Sequence, residues 1–183
     1  HEAFELFSVP IDGSAPPVRL DEPGTSPRAS FLLTPDGQTV VMPRRNDPNG
    51  LRVFARPTDG SASATLLANV PPRVEADFAF SPDSRWLVYR ESWRPGSVVE
   101  YLQVHSVPID GSAPARALSE WGVLEYRIDP TSTRVVYRGG GELYSVRLDG
   151  SAAPVLLHPS GHNVASGFLL TPDGREVVYQ VDQ

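Results

Sequence analysis

Phe78-Ala79-Phe80-Ser81-Pro82-Asp83-Ser84-Arg85-Trp86-Leu87-Val88-Tyr89 sets two short aromatic and β-branched runs on either side of a Pro-Asp turn. Runs of that composition and length fit strands, and proline at the second position of a turn suits type I geometry. The stretch therefore reads as a β-hairpin. A third strand-like run, Tyr101-Leu102-Gln103-Val104-His105-Ser106-Val107, follows, then Asp110-Gly111-Ser112, then Ala115-Arg116-Ala117-Leu118. Asp-Gly between apolar strands is a strong short-range hairpin signal. The unit is four strands joined by hairpins.

Both turns recur. Asp-Gly-Ser stands at Asp12, Asp59, Asp110 and Asp149, spaced 47, 51 and 39 residues apart. The Pro-Asp-Gly turn stands at Thr34-Pro35-Asp36-Gly37 and Thr171-Pro172-Asp173-Gly174, with degraded copies at Ser81-Pro82-Asp83-Ser84 and Asp129-Pro130-Thr131-Ser132. The two signatures alternate strictly. Four-stranded units with periods in the forties are what propeller blades show, and no segment sustains a helical apolar period. The expected fold is all-β, a β-propeller of four-stranded antiparallel blades.

The repeat resembles a known one. Phe-x-Phe-Ser-Pro-Asp-x-x-x-Leu-x-Tyr, followed by a strand ending in Asp-Gly, is similar to the TolB-type β-propeller repeat, a relative of the WD repeat, and the likeness covers nearly the whole chain. It implies one propeller domain over residues 1–183, with half-blade 1–20, blades near 29–68, 76–119 and 123–158, and half-blade 166–183. Each blade would run from an innermost to an outer strand, with both repeated turns on one face and the middle loops and inter-blade connections on the other. The N-terminal half supplies outer strands and the C-terminal half inner ones, giving four blade equivalents with a split terminal blade. Paired within the chain, the halves close a four-bladed ring; paired between chains, they make a larger ring or an open array. A periplasmic or extracellular location rests on the resemblance alone.

Bulk properties narrow the partners. A chain of 183 residues can bury roughly 70% of its unfolded surface. Its net charge of −6 disfavours nucleic acid or an anionic membrane as the main partner. All 16 basic residues are Arg, and the absence of cysteine excludes disulfides and thiolate chemistry. No apolar stretch approaches the roughly 20 residues that span a bilayer, so no membrane insertion is expected. No leader pattern precedes the first strand, which reads as a removed leader or a segment of a longer protein.

The aspartates of the repeated turns are expected to be structural, each accepting a hydrogen bond from its own turn while glycine takes the left-handed backbone. No Asp-x-Asp-x-Asp calcium loop accompanies them. The opposite face carries the irregular loops, where function tends to sit: residues 43–50, 91–96, 119–122 and 158–163. These would present Arg44, Arg45, Trp93, Arg94, Trp121, His158 and His162 on one rim. Exposed Trp and Arg are enriched at binding hot spots; singly, the tryptophans could instead pack between blades and the arginines stand solvated. His158 and His162 are separated by Pro159 and Gly161, so they sit in a loop rather than as a helical metal pair.

No Gly-x-Ser-x-Gly elbow, His-Glu-x-x-His or phosphate-binding glycine loop is present. Gly139-Gly140-Gly141 precedes a strand and reads as a hairpin turn. The expected function is therefore a non-enzymatic, cofactor-free scaffold that binds a protein or peptide. Its rivals are a self-assembly module completing blades between chains and a gating propeller detached from a prolyl-oligopeptidase-like hydrolase.

Overall fold

A computed structural model describes residues 5–21, 31–45, 50–71, 77–93, 101–120, 122–158, 161 and 163–182, with the backbone alone at Arg45, Ser92, Trp93 and Tyr101. Among them there are strands and turns and no helix. Strands β1 (Phe7–Ser8) and β2 (Val18–Arg19) form a two-stranded sheet. Three four-stranded antiparallel sheets follow. The first holds β3 (Leu32–Leu33), β4 (Thr39–Arg45), β5 (Leu51–Pro57) and β6 (Thr65–Val70). The second holds β7 (Asp77–Phe80), β8 (Trp86–Trp93), β9 (Tyr101–Pro108) and β10 (Arg116–Ala117), and the third holds β11 (Val123–Ile128), β12 (Arg134–Gly139), β13 (Glu142–Arg147) and β14 (Val155–Leu156). A last two-stranded sheet pairs β15 (Leu169–Leu170) with β16 (Val177–Val178). Every full sheet is a meander in chain order, as the hairpin signals predict.

The inner turn has the same geometry in all four copies. The fourth residue donates its N–H to the carbonyl of the first: Gly37 to Thr34, Ser84 to Ser81, Ser132 to Asp129 and Gly174 to Thr171, at 2.8–3.0 Å. That fourth residue has positive φ, at 72° for Gly37 and 69° for Gly174, but also at 63° for Ser84 and 60° for Ser132. The serine copies are not degraded. The hydroxyl of Ser84 accepts the N–H of Asp36 at 3.1 Å, and that of Ser132 accepts the N–H of Asp83 at 3.0 Å. Serine thus accepts left-handed strain of about 1–2 kcal/mol and in return satisfies a backbone donor on the preceding sheet. Ser132→Gly exchanges one effect for the other and should lie within about 1 kcal/mol of the parent, whereas Ser132→Ala keeps the strain, loses the bond and should cost about 1–2 kcal/mol. Urea denaturation of both variants measures the difference.

The Asp-Gly-Ser turns behave as expected. Asp12, Asp59, Asp110 and Asp149 each accept the N–H of the serine two residues on, at 2.9–3.0 Å. Gly13, Gly60, Gly111 and Gly150 take φ between 60° and 70°. These hydrogen bonds hold the carboxyls of Asp12, Asp59 and Asp110 below the usual carboxylate range, and Arg147 adds its own bond at Asp149.

Packing occurs between sheets. Neighbouring residues of a strand point to opposite faces, so Leu87 and Tyr89 pack back on the first full sheet, against Val41, Val53, Ala55, Leu67 and Val70. Val88 and Val104 pack forward on Val123, Val135, Tyr137 and Val146. Both faces of a middle strand are covered, which explains the unbroken apolar run Trp86-Leu87-Val88-Tyr89. The N-terminal pair docks on the first full sheet through Leu6, Val18 and Leu20 against Val40 and Met42. The C-terminal pair docks on the third through Phe168, Leu170 and Val177 against Val136 and Leu143. Among the described residues the two terminal pairs share no ladder with each other.

Candidate functional site

Each full sheet, and the C-terminal pair, begins with an inner strand that has a partner on one side only among the described residues, so β3, β7, β11 and β15 present a free backbone edge. A groove of about 690 Å³ runs along the last three of these edges and is walled by Phe78, Phe80, Leu124, Tyr126, Leu169 and Leu170. Leu124 and Leu169 are 52% and 60% exposed, although neighbouring aliphatics of the sheets are fully buried. Consecutive inner strands thus contribute apolar side chains to one surface. A second hollow, about 920 Å³, lies between sheets beside Pro57, Trp86 and Pro108, where the Asp-Gly-Ser turns satisfy their own polar groups.

Polar groups of the inner groove are paired with one another. Arg90 Nη2 lies 3.1 Å from an Asp77 oxygen, and Arg90 Nη1 donates to the Leu124 carbonyl at 2.7 Å. Arg127 meets Glu125 at 3.2 Å and sets its guanidinium 5.6 Å from the centre of the Phe168 ring. The other Glu125 oxygen accepts the N–H of Gly167 at 2.9 Å, tying β11 to the next inner strand. Burial, helped by the Asp77 charge and opposed by Arg90, pushes the Tyr126 phenol far above its usual range. Tyr126 therefore acts as a neutral aromatic with one donor, which reaches the Asp77 carbonyl at 3.4 Å. The groove offers apolar contact, aromatic faces and free strand edges.

The residues predicted for the rim fare differently. Arg44 and Arg45 lie in β4, and Trp93 ends β8, so segments read as loops begin as strand. The strands outlast the sequence signal because β4 pairs with β5 as far as Arg45↔Leu51, and β8 with β9 as far as Trp93↔Tyr101. Arg44 lies 4.7 Å above the Phe54 ring, which Arg52 approaches at 5.1 Å, a packing role that uses the cation–π attraction. His158 sits half-buried, its Nδ1 3.0 Å from the Tyr179 hydroxyl, and joins the third full sheet to the C-terminal pair. Arg44 and His158 belong to the first and third full sheets, with the second between them. Arg94, Trp121 and His162 lie outside the described residues.

Sequence reasoning passed over the groove because Phe78 and Phe80 had served as strand formers and Tyr126 had drawn no attention. The usable signal was an apolar residue at each inner-strand edge. It also passed over a buried polar trio. His105 stacks on Tyr89 with ring centres 5.1 Å apart, and its Nε2 lies 3.3 Å from Glu91 Oε2. Burial pulls the His105 ring down to about 4 and pushes the Glu91 carboxyl up. Among the described residues no group of three or more His, Asp or Glu converges as a metal site would require.

No family model matches the sequence, and no curated protein matches it. Solved structures do. A TolB from Agrobacterium tumefaciens aligns over 97% of this chain and 63% of its own, with TM-score 0.51 and 18% identity. The Dos1 propeller aligns over 97% of this chain and 48% of its own, with TM-score 0.53 and 13% identity. A puromycin-hydrolyzing peptidase of Mycobacterium tuberculosis aligns over 92% of this chain and 30% of its own, with TM-score 0.52 and 21% identity. The chain spans less than two thirds of the length of each. In fold, this protein is an array of TolB-type, WD-like β-propeller blades.

Proposed function

We propose that the array is a non-catalytic binding module that takes an extended protein or peptide segment along its inner groove. The carrying observation is the pair of exposed leucines, Leu124 and Leu169, beside Phe78, Phe80 and Tyr126 on free strand edges. An extended peptide gains backbone hydrogen bonds at such an edge, while side-chain pockets select its alternate residues. Asp77, Arg90 and Leu124 line one end of the groove. The rim of Arg45, Trp93, Arg94, Trp121 and His162 is proposed as the outer part of the same surface. The likeness to the A. tumefaciens TolB supports a place outside the cytoplasm.

A displayed random-peptide library panned on the immobilised chain tests this reading. Selected peptides should bind the double variant Leu124→Asp/Leu169→Asp about tenfold or more weakly with an unchanged circular dichroism spectrum, and bind Trp86→Ala as they bind the parent. No enrichment over a blank surface, or weakening by Trp86→Ala alone, overturns it. One observation favours a second reading, a propeller serving a hydrolase: the alignment with the M. tuberculosis peptidase. A native reading frame without a hydrolase domain disposes of that reading.

A further inference from the structure

Arg44 of β4 and Arg52 of β5 stand directly opposite each other in the first full sheet, a placement in which two like charges destabilise the ladder. Arginines elsewhere in the fold are balanced: Arg19 meets Glu5 and Asp21, Arg90 meets Asp77, Arg127 meets Glu125 and Arg147 meets Asp149, at 2.6–3.2 Å. Among the described residues no carboxylate lies within ion-pair reach of Arg44 or Arg52. Glu5 and Asp21, the acids of the strand pair that docks on this face, are both taken by Arg19. The Nε–H of Arg44 is buried without a partner, and its Nη2 reaches only the Met42 sulfur, at 3.9 Å, a weak acceptor.

The repeat does not require this pair. Aligning Pro35 with Pro82 and Pro130 sets Arg44 on Glu91 and Gly139, whose ladder partners are Gln103 and Glu142. The second and third full sheets thus fill the same place without any cation. The first sheet alone sets two guanidiniums there, in a chain of net charge −6.

Residues directly opposite one another share a face of the sheet. One row across β4, β5 and β6 is therefore Arg44, Arg52 and Asn69, all with side-chain donors. The row beside it is Met42, Phe54 and Leu66. Phe54 is half-buried and Leu66 is 39% exposed, so this second row offers apolar surface. The two guanidiniums lie 4.7 and 5.1 Å from the centre of the Phe54 ring. A cation held against a ring still has its N–H donors to give.

We propose that Arg44, Arg52 and Asn69 form a carboxylate-binding site whose ligand carries an apolar body, seated on Phe54 and Leu66. A planar carboxylate takes paired N–H bonds from a guanidinium fork. It supplies the acceptor that the buried Arg44 Nε–H lacks and offsets the repulsion between the two cations. The apolar row decides against a bare phosphate, which gains nothing from a phenylalanine and a leucine. The site shares no residue with the inner groove, so either can fail without the other.

Titration of the intact chain with sodium octanoate, followed through the NMR signals of the arginine Nε–H groups, tests the site. The Arg44 and Arg52 signals should shift and saturate together. Octanol, which keeps the apolar body without the charge, should leave both in place, and acetate and inorganic phosphate should bind at least about tenfold more weakly than octanoate. Arg52 is exposed, so Arg52→Gln should fold as the parent does and weaken octanoate about tenfold, with Arg52→Lys between the two. Arg85→Gln, which removes an exposed arginine outside the site, should bind octanoate like the parent. N-acetyl-leucine binding more tightly than octanoate supports the site and names a peptide C-terminus as its source of carboxylate; the reverse supports it with a free aliphatic acid. No saturable shift overturns the proposal in favour of a solvated pair or one met by a carboxylate of the chain itself. Equal weakening by Arg52→Gln and Arg85→Gln overturns it in favour of general anion attraction, and phosphate binding more tightly than octanoate overturns the carboxylate as ligand.

Discussion

Replacing Phe168 by alanine should cost about 3–5 kcal/mol of folding stability and free the C-terminal strand pair from the third full sheet. Phe168 is the largest fully buried side chain among the described residues. It packs with Val136, Leu143 and Val164, and the Arg127 guanidinium lies against its ring. Little else fastens the C-terminal pair: β15 and β16 are two residues each, and the hydrogen bonds from Gly167 to Glu125, from Val164 N–H to the Gly141 carbonyl and between His158 and Tyr179 are the polar links across that junction among the described residues. An aromatic ring removed from such a site leaves a cavity that short strands can fill only by moving. Amide exchange at Leu169 and Val178, opposite each other in the ladder, should then approach the rate of an unstructured chain, while Val88 and Val104 stay protected. A urea-measured loss below about 1 kcal/mol would show that the pair is held by something other than this ring.

Acidification from pH 7 to about pH 5 should remove about 2 kcal/mol through His105. The imidazole is buried against Tyr89, and its folded value of about 4 lies below the usual 6.5. A depressed folded value means that the unfolded chain binds the proton first. The stabilisation is complete above 6.5 and is lost as pH falls through the window between 6.5 and about 4. Glu91, 3.3 Å away, has its carboxyl raised by burial and acts in the opposite sense: its charged form costs stability at higher pH, and protonation relieves that cost. Urea midpoints of the parent should fall across this range, and those of His105→Gln should stay flat or rise slightly. Equal slopes in the two proteins would exclude His105 as the source. The window stays above the acid range in which Asp21, Asp36 and Asp129, whose values the fold depresses, lose their own contribution.

The architecture was legible because it repeats. One hairpin, Phe78 to Tyr89, could be checked against three further copies, and the aspartate–glycine turns carried their mechanism in their composition. What the sequence could not supply were contacts between repeats. Ser84 and Ser132 looked like losses of glycine until the N–H of Asp36 and Asp83 was found on their hydroxyls. The loop-face rim fared less well, because strand ends are set by cross-strand pairing rather than by local composition. Arg44 resembled a loop residue by its neighbours Pro43 and Asn46, yet its register opposite Arg52 made it strand. The inner groove escaped notice for a related reason: a leucine at an inner edge is indistinguishable from a core leucine until the chain is folded.

The serine clasps have a direction. Each turn gives its third-residue N–H to the fourth-residue hydroxyl of the turn that follows, from Asp36 to Ser84 and from Asp83 to Ser132, and the sequence of gifts stops at Gly174, which has no hydroxyl to receive one. A repeat bearing Asp-Ser in these places is therefore both a sender and a receiver and can stand in tandem with itself, whereas a repeat bearing Gly can only send. Duplicating or deleting the Ser81–Ser84 repeat would leave every remaining coupling of the same kind, so array length can change by whole repeats without new chemistry at the seams. In such an array glycine at the fourth place works as punctuation, marking where one run of couplings begins and the previous one ends.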